Sequence, residues 1–152
     1  MRIIWVCLFA LVAAPATAQE VRDCIALDRS KVILNPLDMN ARVYANGEVS
    51  LAVVHDGRSD SYDSLFVLVY APDLEDETKR NCRMIGQGEG RGYTDVRLRA
   101  AVADYTAADG LTVEVPARIF RKEDGSSNTT LLSVNVNRTT NEITVTQELG
   151  TE

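Results

Sequence analysis

The sequence predicts a mainly β domain, an antiparallel β-sandwich or open barrel of about seven to eight short strands with one or two short helical turns. Three observations carry this expectation. Residues 65–71 (Leu-Phe-Val-Leu-Val-Tyr-Ala) form an uncharged apolar run between a polar loop and Pro72-Asp73. The run is too short to cross a membrane, and its β-branched and aromatic content favours a strand covered on both faces. Asn46-Gly47 sits between two strand-like segments, 42–45 and 48–54. Its tolerance of positive φ suits the type I′ turn of a hairpin. In the C-terminal third, Leu111, Val113 and Val115, then Leu132, Val134 and Val136, then Ile143 and Val145 alternate with polar residues. That period of two marks half-buried strands.

Taken from the start, the chain of 152 residues opens with Arg2, a twelve-residue apolar stretch at 3–14, and Ala16-Thr17-Ala18. This is the layout of a secretory signal peptide with an A-x-A cleavage site, and a membrane span needs about 20 apolar residues. Residues 1–18 are therefore expected to be removed, leaving 19–152 as a single β-rich exported domain, periplasmic or secreted, with no membrane span in the mature chain. Formal charge is −6 and becomes −7 once Arg2 is lost. An acidic chain repels phosphate-bearing partners, so nucleic acid is excluded as a ligand class.

With Cys7 gone, Cys24 and Cys82 remain, and two cysteines in an exported chain predict one structural disulfide. Closing that loop restricts the unfolded chain by on the order of 4 kcal/mol. Residues 24–27 and 31–34 read as an N-terminal strand with a break, or as two short strands, ended by Asn35-Pro36. After the 65–71 strand, residues 73–80 place acids first and bases last, which suits a turn or two of helix or a plain charged connection. Residues 82–85 re-enter the sheet. Residues 95–98 read as a strand followed by a helical turn through the alanines at 100–103. Pro116 breaks the ladder of its strand, which suggests an edge or a bulge.

Chemistry-bearing residues are sparse. His55 is the only histidine, and a Ser-His-Asp arrangement could draw only on Ser59 or Ser61 with Asp56. No Gly-x-Ser-x-Gly elbow accompanies it. Asp56, Asp60 and Asp63 crowd one loop with Arg58, an oxygen-rich composition compatible with calcium, but the EF-hand spacing is absent. No cofactor and no metal ligand set is expected. Glycines at 86, 88, 90 and 92 do not match a dinucleotide or phosphate loop. They imply either a flexible loop or a strip with one bare face, against which a backbone or an aromatic ring lies closely, and Gln87, Glu89, Arg91 and Tyr93 on the other. Ser133, Asn135 and Asn137 beside Thr144 and Thr146 form a hydroxyl and amide face, without the tryptophan that sugar platforms commonly use.

The expected function is a non-catalytic exported domain that binds a protein partner, as an accessory of a cell-envelope assembly. Its expected contact surface comprises Asp56, Arg58, Asp60 and Asp63 with Glu89, Arg91 and Tyr93. An inhibitor of a secreted hydrolase, presenting one rigid loop, is the alternative reading. A hydrolase using two carboxylates in a cleft is a further one.

Overall fold

The computed structural model describes residues 19–24, 32–58, 61–76 and 78–150. The expected signal peptide, most of the expected first strand (residues 25–27), Lys31, Ser59 and Asp60 lie outside them. Eleven strands, one α-helical turn and short 3-10 turns at Ala45–Gly47 and Leu98–Ala100 appear among the described residues. In chain order they are β1 (Glu20–Asp23), β2 (Val32–Ile33), α1 (Leu37–Asn40), β3 (Ala41–Tyr44), β4 (Val49–His55), β5 (Leu65–Pro72) and β6 (Arg80–Gly86). Then follow β7 (Asp95–Val96), β8 (Val102–Thr106), β9 (Gly110–Phe120), β10 (Ser127–Asn137) and β11 (Glu142–Leu149).

The strands form two separate antiparallel sheets, so the molecule is a sandwich and not a closed barrel. The first has the order β1-β6-β5-β4-β2, with β3 also pairing β4; the second has β11-β10-β9-β7, with β8 also pairing β9. The count reaches eleven because two edge positions are each shared by two short strands. β2 lies against residues 54–55 of β4 and β3 against residues 49–52. β7 lies against residues 117–118 of β9 and β8 against residues 110–114.

The pleat explains the core. Val53, Val67 and Ile85 are cross-strand partners in the first sheet. Val113, Val134 and Val145 are partners in the second. These rows face each other, and Leu51, Val69, Val115 and Leu132 join them without exposure to solvent. On the opposite side of the first sheet, Val54, Phe66 and Met84 form a second buried cluster, with Leu68 packed against it. Both faces of β5 are thus apolar, as its composition predicts, although Tyr70 near its end is 42% exposed.

The Asn46-Gly47 hairpin is present. Tyr44 pairs with Val49, the Glu48 N–H donates to the Ala45 carbonyl at 3.1 Å, and Asn46 (φ 55°, ψ 31°) and Gly47 (φ 98°) adopt the angles of a type I′ turn. The disulfide is also present. β1 runs antiparallel to β6, and Cys24 is bonded to Cys82 beside the end of that ladder, with Cα atoms 5.3 Å apart.

Local expectations need correction at 95–103 and at Pro116. The first described strand is Glu20–Asp23, paired with β6 with Val21 opposite Ile85, and the predicted segment at 24–27 lies mostly outside the described residues. Of the two readings of residues 73–80, the charged connection holds: the described residues there contain no helix, and Asp73 and Asp76 accept from the backbone N–H groups two residues on, which closes turns in place of a helical cap. The strand at 95 ends at Val96, a helical turn occupies Leu98–Ala100, and residues 102–106 are strand β8. Pairing with β9 overrides the helix preference of the alanines. Pro116 stands inside β9 without a bulge. Its carbonyl accepts from the Arg97 N–H at 2.9 Å in the interval between β8 and β7, where no ladder bond from its own nitrogen is required.

Candidate loop-end binding surface

One end of the sandwich collects the β4–β5 loop, the turn at 87–91 and the β9–β10 turn. The local chemistry of each explains how they meet. Leaving β6, the chain turns back at once. The Gln87 N–H donates to the Arg91 carbonyl at 2.8 Å and the Arg91 N–H to the Gly88 carbonyl at 2.9 Å, while Gly88, Glu89 and Gly90 all take positive φ. The turn then presses onto β5: the Gly92 N–H donates to the Asp63 carbonyl, and Leu65 and Tyr93 exchange backbone hydrogen bonds of 2.6 and 3.1 Å. A Cβ at position 92 would stand 2.2 Å from the Leu65 carbonyl oxygen, and one at 86 would stand 2.8 Å from the Phe66 ring. Two of the four glycines therefore serve close approach, and one of those approaches is by an aromatic ring. The other two serve the turn.

Arg58 links the two loops. Its guanidinium pairs with the Asp56 carboxylate, and Nη2 donates to the Gly90 carbonyl at 3.2 Å and the Asp63 carbonyl at 3.4 Å. On the far side of the turn, the Gly90 N–H donates to Glu20 at 3.1 Å. The hydrogen bond from Arg22 holds the Glu20 carboxyl below its usual proton affinity, helped by the Gly90 N–H. Tyr62, 70% exposed, stacks on Phe120 from the second sheet with ring centroids 5.0 Å apart. The surface therefore draws on both sheets and is fastened by side chains that are far apart in the chain.

Of the residues expected at a contact surface, Asp56, Arg58, Asp63, Glu89 and Arg91 come together at this end. Glu89 stands exposed at the tip of the turn, and Arg91 is half-buried. Tyr93 does not belong with them. It is fully buried in the core between the sheets, because the positive-φ residues reset the parity that an unbroken strand would have had. Tyr62, Phe120, Glu20 and Arg22 complete the surface and were not singled out by sequence, since their meeting depends on how the two sheets pack.

The Asp56 and Asp63 carboxylates bond to Arg58 and to the Ser61 hydroxyl, and no cluster of three or more acidic, histidine or cysteine side chains arranged for a metal ion occurs among the described residues. His55 accepts the Gly57 N–H at Nδ1 (2.8 Å), so its proton lies on Nε2, which faces the Ser64 hydroxyl at 3.0 Å. With Nε2 donating, the Ser64 oxygen is the acceptor, the reverse of the polarity a serine nucleophile needs. The pair braces the entry to the loop. No helix among the described residues is long and apolar enough to cross a membrane. No protein-family model, curated protein or solved structure matches the chain.

Proposed function

We propose that the chain is an exported, non-catalytic binding domain that serves as an accessory of a cell-envelope assembly and seats a protein partner on its loop end. The observation that carries this reading is the Arg58 clasp: one guanidinium joins the β4–β5 loop to the 87–91 turn through three separate oxygens. A surface ordered before binding loses less conformational entropy on association, and an exposed tyrosine backed by a second ring is a rigid anchor of the kind that dominates protein interfaces. Export is supported by the Cys24–Cys82 bond together with the leader-like segment at 1–18.

The test is capture from the native envelope fraction with wild-type protein and with the double variant Arg58→Ala, Tyr62→Ser. A partner recovered with wild type and reduced at least about tenfold with the variant is the expected result, the size of a central anchor loss. A partner held equally by both proteins, or none at all, removes the reading. The pinned 87–91 turn, with Glu89 at its tip, favours one second reading, an inhibitor that inserts this turn into the cleft of a secreted hydrolase. In that case Glu89→Ala weakens inhibition while Arg58→Ala weakens it less.

A further inference from the structure

Among the described residues, most edge strands carry charges that discourage further pairing. β1 has Glu20, Arg22 and Asp23; β3 has Arg42; β11 has Glu142 and Glu148; β7 has Asp95 and is two residues long. β8 carries a single charge, Asp104. All five of its residues are exposed, among the described residues it pairs only with β9, and it contains no proline, lysine or arginine. An open edge of this kind offers unpaired backbone donors and acceptors to another extended chain.

The two faces beside that edge have different chemistry. Ala103 and Tyr105 pair with Val113 and Leu111, so they lie on the side of the sheet that carries the core. Yet Tyr105 is 70% exposed. On the other side, Asp104 and Glu114 are partnered by Thr112 and Val102 and line a shallow groove of about 300 Å³ with Asp109. Neither Asp104 nor Glu114 takes part in an ion pair among the described residues. Alone, such carboxylates would be a solvated face; beside an open edge, they specify what the edge accepts.

We infer that β8 is a strand-addition site for an extended segment of a partner protein that alternates apolar and basic residues. The apolar parity covers Ala103 and Tyr105, and the basic parity meets Asp104 and Glu114. A second copy fits less well, because symmetric antiparallel pairing centred on Asp104 would set two carboxylates directly opposite. The site is separate from the loop end and stands or falls without it.

The probe is a capped synthetic peptide, Thr-Val-Lys-Val-Lys-Val-Thr, titrated into the mature protein and followed by amide chemical shifts. Expected are saturable shifts centred on residues 102–106 and weakening by added salt. At least about tenfold weaker binding is expected for Asp104→Lys, for the peptide with Glu in place of Lys, and for the peptide N-methylated along one edge, each of which removes a charge pairing or the ladder bonds. Thermal melting of Asp104→Lys at the wild-type temperature keeps the comparison valid, since the residue is exposed. Absence of saturable shifts, equal binding of the Glu peptide, shifts mapping elsewhere, or self-association through β8 would each overturn the inference.

Discussion

At the scale of the residue, Tyr93 combines two costs. Its ring fills the core where the chain passes from one sheet to the other, and its hydroxyl is buried with no hydrogen-bond partner among the described residues. An unsatisfied buried hydroxyl costs about 1–3 kcal/mol, so Tyr93→Phe is expected to raise stability by about 1 kcal/mol in urea unfolding. Burial also pushes the Tyr93 phenol far above its ordinary value. The folded-state affinity for the proton is raised, so the unfolded chain ionises first as pH climbs past about 10 and unfolding is favoured from there upward. Wild type should therefore lose stability with a slope of up to about 1.4 kcal/mol per pH unit, and Tyr93→Phe should lose most of that slope. Tyr44, also raised by burial, retains a smaller part. A variant less stable than wild type at neutral pH, or one with an unchanged alkaline slope, would contradict the account.

At the scale of the element, the 87–91 turn shows what glycine does when several occur together. Position 92 is filled by the Leu65 carbonyl, whereas a Cβ at position 88 would meet nothing within 4 Å but would sit at φ 109°. Gly92→Ala is expected to cost at least about 2 kcal/mol through overpacking against backbone. Gly88→Ala should cost about 1 kcal/mol, from backbone conformation alone. Urea midpoints of the two variants decide it, and equal losses would mean that contact is not what position 92 is for. The elements that were legible in the sequence are those whose cause is local. Asn46 and Gly47 set their own φ angles, and the 65–71 run carries its strand preference in each residue. β8 was not legible: the alanines at 100, 101 and 103 favour helix in isolation, and only the ladder to β9 decides otherwise. Tyr93 was misplaced for a related reason, since three positive-φ residues break the alternation on which its face was read.

At the scale of the whole molecule, the disulfide closes the only described strand pair that spans most of the first sheet's sequence, its cysteines lying 58 positions apart in the chain. Reduction is expected to lower stability by on the order of 4 kcal/mol, read as a fall in the urea midpoint with reductant present. An unchanged midpoint would show that the bond constrains nothing the fold does not already hold. The site was half legible at this scale. Composition pointed to the charged loop and the glycine-rich segment, and the structure joins them through Arg58. The Tyr62–Phe120 stack was out of reach, because it is made between a loop of one sheet and a strand end of the other.

The two sheets also divide the chain in order: every described strand up to residue 86 belongs to the first, and every described strand from residue 95 to the second. Most neighbouring strands are therefore close in sequence, and the entropic cost of closing the loop between them is small. β1 is the exception, since Glu20 finds its partner only at Gly86. In a chain made from its N-terminus, β1 is the first described strand to emerge and one of the last of its sheet to pair. Until Cys82 arrives, Cys24 waits as a free thiol, so the order in which the chain emerges sets when the covalent lock can close.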